Sequence, residues 1–205
     1  GRRGMVSEQA LRFLLEASGR DYRVYSLAEL KLESCDACLG CLSTNRCVKP
    51  DGVNEIVDAL TEASALVFAA PEYWNGLHGK ARAFWERVCF MGRHNGQFPL
   101  RHLHGVIIGV SGGGDASAAI GDLRTFFEDA LITVSDTVDV HGSYACFDCG
   151  LAPVCEVGGV WDIFPRATEI LPGMVPGLDN QDPHLDRSMR RADVRTRLRS
   201  AAALP

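Results

Sequence analysis

The chain has 205 residues, 46% of them apolar and 23% charged, with a formal net charge of −5. Those values describe an ordinary folded protein with one sizeable core and exclude a disordered or fibrous chain. The mild acidity argues against nucleic-acid binding, which needs a concentrated basic patch, and the longest apolar stretches, Ala63 to Ala70 and Val106 to Val110, fall far short of the roughly 20 residues of a membrane-spanning helix.

Taken in chain order, Ser7 to Ser18 carries Leu11, Leu14, Leu15 and Ala17 at helical spacing, with Ser7 placed to cap the start and Gly19 to stop it. Arg23 to Leu27 reads as a short strand, and a cysteine-rich loop follows. Asp51 to Ala63 puts Val53, Ile56, Val57 and Leu60 on one helical face and leads into Ala65 to Ala70, an apolar run of strand length. Runs of that kind suit strands buried on both faces of a parallel sheet. The pattern then repeats: loop Pro71 to Gly76, helix His78 to Phe90, strand Gly105 to Val110, loop Ser111 to Gly114, helix Asp115 to Ala130, strand Ile132 to Val140. Alternating helices and strands predict an open, doubly wound α/β sheet. Beyond about residue 156 the alternation ends. Pro165, Pro172, Pro176 and Pro183 predict an irregular arm, and Asp186 to Ala203, with six arginines between Arg187 and Arg199, predicts a solvated or subunit-packing helix. The sequence thus divides at residues 1–145, the α/β domain, and 146–205, the extension.

No charged segment followed by an apolar one opens the sequence as a secretion signal would, so the expected location is cytoplasmic and the eight cysteines are expected to be thiols rather than disulfides. They are grouped. Cys35, Cys38, Cys41 and Cys47 have the spacing C-x2-C-x2-C-x5-C, in which three thiolates wrap one face of a compact cluster and the fourth arrives from a longer loop. Runs of C-x2-C serve 4Fe-4S clusters. The rival is structural zinc, which usually takes two separated pairs. Gly40 lacks a Cβ and would let the backbone approach inorganic sulfur. Cys146, Cys149 and Cys155 form a second group, C-x2-C-x5-C, directly after the last predicted strand. With Cys89, His141 or a neighbouring subunit as fourth ligand they would make a second metal site, an iron-sulfur cluster ahead of zinc. The alternative is that Cys89 is a buried small apolar residue and the others are thiols in a packed turn.

Open α/β sheets bind ligands outside the carboxyl ends of their strands, and the loops predicted there are unusual. Pro71, Glu72, Tyr73, Trp74, Asn75 and Gly76 set an aromatic pair between a proline and a glycine. Tyr73 and Trp74 would stack on a planar ring while the amides of Asn75 and Gly76 bond its polar edge. Ser111, Gly112, Gly113 and Gly114 permit close backbone approach. At the amino end Arg2, Arg3 and Ser7 stand where a helix begins, a natural phosphate site. Three candidates at successive carboxyl ends suit one flavin mononucleotide, and FAD is disfavoured because no G-x-G-x-x-G turn is present.

The segments CDACLGC with Cys47, PEYWNG followed by HGKARAFWERV, and VSGGGD resemble the iron-sulfur flavoproteins of the NADPH-dependent FMN reductase superfamily over about residues 1 to 141. The resemblance implies a flavodoxin-like fold with the cysteine loop as an insertion, FMN, and a 4Fe-4S cluster on the four cysteines. It also implies a homodimer or homotetramer in which a cluster lies near a neighbour's flavin, and exchange with a soluble electron carrier such as a ferredoxin. The family's first strand and a G-S-P-R-like phosphate loop precede the first helix, where this sequence opens with GRRGMVS, so residues ahead of Gly1 are expected. The function expected is coupling of one-electron carriers to a two-electron acceptor such as a quinone, an oxygen species or NAD(P)H, with no side chain needed as acid or base. Glu72, Tyr73 and His78 are the candidates for proton relay near the flavin, with a surface or structural role as the alternative for each. The alternatives are an NAD(P)H-dependent FMN or quinone reductase braced by zinc, and a non-catalytic electron-transfer subunit of a larger redox complex.

Overall fold

The computed structural model describes residues 4–112, 114–143, 145–151, 154–164, 169–171, 174–175, 177–178 and 191–204. The expectations placed on Arg2, Arg3, Gly113 and the four prolines of the arm lie outside them.

Three strands, β1 (Ala65–Pro71), β2 (His104–Ser111) and β3 (Thr133–His141), pair in parallel in the order β1-β2-β3. Helices cover both faces. On one side lie α2 (Val53–Thr61), α3 (Gly79–Gly92) and α4 (Ser117–Asp129). On the other lie α1 (Val6–Ser18) and α6 (Arg191–Ala201); a short α5 (Gly159–Ile163) sits in the extension. Side chains alternate across a strand, and β2 shows the consequence. Val106, Ile108 and Val110 join the α1–α6 core, while Ile107 joins Phe84, Trp85, Leu123 and Phe127 in the other. Gly105 and Gly109 share the face of Ile107. A Cβ on Gly109 would stand 2.6 Å from Ile120 Cγ1 and 2.8 Å from Ala116 Cβ, so glycine is what lets α4 seat against the strand.

The first helix stops at Gly19, left-handed at φ 64°, as a C-cap requires. Its N-cap is Met5 rather than Ser7, which sits inside the first turn; the Glu8 carboxylate turns back to accept from the Gly4 amide at 2.8 Å. The arginine-rich helix is solvated on one face only, where Arg197 and Arg199 are exposed. Val194, Leu198, Ala201 and Ala202 bury against α1 and β3, and the Arg195 and Arg199 guanidinium carbons lie 4.8 and 5.4 Å from the centroid of the Phe13 ring.

One predicted strand does not form. Residues 21–26 carry no regular structure and Leu27–Glu29 is a single 3-10 turn, tied down by Lys80 Nζ donating to the carbonyls of Ala28 (3.1 Å) and Leu30 (2.9 Å). A strand needs a neighbour to receive its hydrogen bonds. Here a groove of about 530 Å³, lined by Leu11, Leu14, Tyr22, Val24, Leu66 and Phe68 among others, separates that segment from the outer edge of β1. Among the described residues β1 pairs only with β2.

Candidate functional site

Cys35, Cys38, Cys41 and Cys47 line one cavity together with Asp36, Leu39, Val48, Lys49, Arg87, Phe90 and Met91. The turns that achieve this are costly. Ala37 (φ 53°) and Leu39 (φ 61°) are both left-handed, a conformation that costs an L-residue roughly 1–2 kcal/mol. Each reverses the chain between consecutive cysteines and turns the run back toward the same space. Gly40 has a role other than approach to inorganic sulfur: a Cβ there would meet Val48 Cγ1 at 2.6 Å. Burial holds the Cys41 thiol above its ordinary pKa. Lys49 fastens the entry to the loop through Glu33 (3.0 Å), Asp36 (3.3 Å) and the Ser34 carbonyl (3.0 Å). Its hydrogen bond to Asp36 holds that carboxyl below the usual range. Asn54 brackets Cys47, accepting from its amide at 2.9 Å and donating to its carbonyl at 2.7 Å. Four thiols around one cavity fit a cuboidal cluster, which takes a thiolate at each iron. Among the described residues no three His, Cys, Asp or Glu side chains converge to hold a single ion.

The loops expected to hold a flavin meet at the carboxyl edge of the sheet. Pro71 pairs with Val110, Ser111 with His141, and the Glu72 amide donates to the Val110 carbonyl at 2.7 Å. Tyr73 to Gly76 form a tight turn closed by the Tyr73 amide on the Gly76 carbonyl (2.9 Å), with Trp74 (φ 53°) and Asn75 (φ 55°) both left-handed. That is the pattern of a type I′ turn. It lifts Trp74 fully into solvent, while Tyr73 packs edge-on against His78 with ring centroids 4.9 Å apart. Ser7 and Pro71 meet at a pocket of about 310 Å³ that also takes in Arg12, Tyr25, Ala70 and His78. Burial lowers the His78 pKa. Gly114 adopts φ 150° and faces open space. These features suit a flat ring against Trp74 and the glycine loop, with phosphate toward the start of α1.

Glu72 takes the structural role. Its carboxylate accepts from the Ala119 amide (3.1 Å), Asp115 from Ser117 (3.0 Å) and Asp139 from Ala116 (3.1 Å). Three carboxylates therefore satisfy the N-terminus of α4, which is thereby closed to an anion. Burial, with repulsion from Asp115 and Glu72, raises the Asp139 pKa above the usual carboxylate value. The native state then holds that proton more tightly than the unfolded chain, so the stability associated with it is present at acid pH and lost as pH rises through the native pKa. Asp139→Asn, which keeps the acceptor for Ala116, is expected to raise Tm at neutral pH and to show no gain at pH about 3, where wild-type Asp139 is protonated in both states.

Cys89 lies at the C-terminal end of α3, away from the flavin edge. Its thiol donates to the Phe126 carbonyl (3.2 Å) and burial pushes its pKa up to about 12; it packs near Leu100 and Ala130, which precede β2 and β3. It is not gathered with Cys146, Cys149 and Cys155, which follow β3 and whose recorded bonds are local: Cys149 to the Cys146 carbonyl, and the Leu151 amide to the Cys149 sulfur, each at 3.4 Å.

Sequence reasoning missed Arg87, Lys49, Asn54, Phe90 and Met91 at the cysteine cavity. Arg87 left a signal. Phe84, Val88 and Met91 mark the buried stripe of α3, and Arg87 falls on it at helical spacing, a charge where apolar periodicity calls for none.

A parallel sheet covered on both faces, with its unusual loops at the carboxyl edge, defines a flavodoxin-like protein. The family model for NADPH-dependent FMN reductases matches residues 1–143, and the chain belongs to that family of flavin-dependent oxidoreductases. An iron-sulfur flavoprotein of Methanocaldococcus jannaschii is 27% identical over 156 residues, covering 75% of this chain and 78% of its own. One from Methanosarcina thermophila is 23% identical over 144 residues, covering 69% and 70%. Among solved structures, RosB with a bound 8-demethyl-8-formylriboflavin-5′-phosphate intermediate superposes with TM-score 0.54 at 18% identity, over 69% of this chain and 62% of that one. The azoreductase AzrA gives 0.53 at 15%, over 69% and 84%. No helix among the described residues is long and apolar enough to cross a membrane.

Proposed function

We propose that this protein passes electrons between a 4Fe-4S cluster on Cys35, Cys38, Cys41 and Cys47 and an FMN held by Pro71 to Gly76 and Ser111 to Gly114, with Arg2, Arg3 and Ser7 at its phosphate. The observation that carries the reading is the convergence of the four cysteines on one cavity in a chain of the FMN reductase family. Bound there, the two groups supply one-electron and two-electron chemistry, and so couple a soluble one-electron carrier such as a ferredoxin to a two-electron acceptor. The names of the curated relatives support the cluster.

The geometry favours exchange between subunits. Pro71 to Gly76 precede α3, whereas the cysteine cavity draws Arg87, Phe90 and Met91 from its far end. At 1.5 Å per residue those positions lie roughly 12–18 Å along the helix axis from its start. Leu39, Leu42 and Val48, all exposed around the cysteine loop, form an apolar rim suited to a second copy in a homodimer or homotetramer, or to the carrier.

Two measurements test the reading. Trp74→Ala is expected to weaken FMN binding about fivefold, an aromatic stacking contribution of ~1 kcal/mol, read by flavin fluorescence titration; unchanged affinity contradicts the placement of the ring. Anaerobic mixing with a reduced ferredoxin is expected to bleach the flavin. Bleaching by NAD(P)H alone, with none by the ferredoxin, contradicts the carrier-coupled function.

A further inference from the structure

Arg87 is 2% exposed, and the side chain of its partner Asp51 is 9% exposed. A guanidinium taken out of water must have its charge and its donors answered. Asp51 does part of this as a two-point partner, with Nη2 donating to Oδ1 at 2.8 Å and Nη1 to Oδ2; Nη1 also donates to the Glu33 carbonyl at 3.3 Å. Burial works against the charge, but Asp51 and Cys47 together outweigh it and hold the Arg87 pKa above its ordinary value. The remaining donors point at one sulfur: Nε lies 3.3 Å and Nη2 3.0 Å from Cys47 Sγ. Among the hydrogen bonds of the described residues, Cys47 alone of the four cysteines receives a cationic donor on its sulfur. Its backbone is the part of the loop that Asn54 brackets on both amide and carbonyl. The corner of the cavity at Cys47 is therefore built, from a helix, a loop and an ion pair, to present two N–H groups to a thiolate.

We infer that Arg87 is a positioning residue that sets the reduction potential at the cysteine site by donating two hydrogen bonds to the Cys47 sulfur. The inference rests on the cluster reading of the four cysteines. One electron arriving from a one-electron reductant, with no proton, adds one negative charge that the ligating sulfurs share. N–H donors on a sulfur stabilise that added charge, and charged donors do so most strongly. Asp51 offsets the guanidinium and so holds the effect at an intermediate level. The two residues consequently move the potential in opposite directions.

The test is an anaerobic potentiometric titration of the intact protein, followed by electron paramagnetic resonance, with iron, sulfide and FMN counted in every sample. Arg87→Met combined with Asp51→Leu removes both charges and keeps the volume filled; its cluster potential is expected to shift down from wild type. Asp51→Asn leaves the guanidinium unopposed and is expected to shift it up. The flavin potential should stay in place in both. Where the double variant fails to fold, Arg87→Lys serves, since it keeps the charge and loses the paired donors, and it too is expected to shift down. Full clusters titrating at the wild-type potential in these variants, or an Asp51→Asn shift of the same sign as that of the double variant or of Arg87→Lys, overturn the inference. A merely structural Arg87 would change cluster content or stability and leave the potential of intact clusters alone. Iron and sulfide content of the wild-type protein reports separately on the cluster reading.

Discussion

Cys38→Ala is expected to purify with its flavin and without its cluster. A cuboidal cluster needs a thiolate at each iron, and Cys38 supplies the middle sulfur of the run; the cavity holds no fifth cysteine among the described residues. Cys38 is also exposed, so its truncation opens no void in the core and the cost in fold stability should stay within about 0.5 kcal/mol. The variant therefore separates loss of the cluster from loss of the fold. Cys89→Ala is the matched control: its thiol is buried between α3 and α4, and iron content should be unchanged. Retention of full iron in Cys38→Ala would refute the ligand assignment.

The second large effect is on stability. Trp85 is fully buried and touches three rings: Phe68 of β1 at 5.3 Å, Phe84 at 5.4 Å and Phe127 of α4 at 4.8 Å between centroids. It thereby joins α3 to the sheet and to the neighbouring helix, and α3 carries the flavin loop at one end and Arg87 at the other. Among the described residues its indole N–H has no hydrogen-bond partner, so truncation breaks no hydrogen bond there and the loss is one of packing. Trp85→Ala should cost about 3–5 kcal/mol, read by urea denaturation of the cofactor-free protein, and should reduce cofactor retention at both sites on warming. A loss under about 1 kcal/mol would mean that the aromatic cluster does not anchor α3 as described.

The long periodic segments were legible because their signal is local. The stripe of α2, the apolar run of β1 and the glycine stop of α1 depend on nearest neighbours in sequence, and each formed within two residues of where spacing placed it. Arg23 to Leu27 was not legible, because a short strand exists only by virtue of the partner beside it, and a groove lies there instead. In α6 the apolar positions Val194, Leu198 and Ala201 were in plain view. The arginines among them disguised the buried face, since Arg195 and Arg199 bring their guanidinium groups over Phe13 while Arg199 stays exposed.

At the candidate site the same division holds. The cysteine spacing pointed to one shared site, and the four sulfurs line one cavity; the unusual loops were expected at the carboxyl edge and lie there. What remained hidden were the groups supplied from elsewhere in the chain: Arg87 reaches Cys47 across 40 positions of sequence, and Glu72 reaches the start of α4 across 47. Both pairings are products of tertiary packing, which spacing within a motif does not encode.

The central claim is that one chain carries an iron-sulfur cluster together with FMN. Anaerobic purification followed by iron, sulfide, zinc and flavin analysis with a visible spectrum tests it directly. The account predicts about four irons and four sulfides on the first cysteine group beside one FMN, and about four further irons only if Cys146, Cys149 and Cys155 hold a second cluster. Flavin bands with zinc at about one per chain and no iron would contradict it.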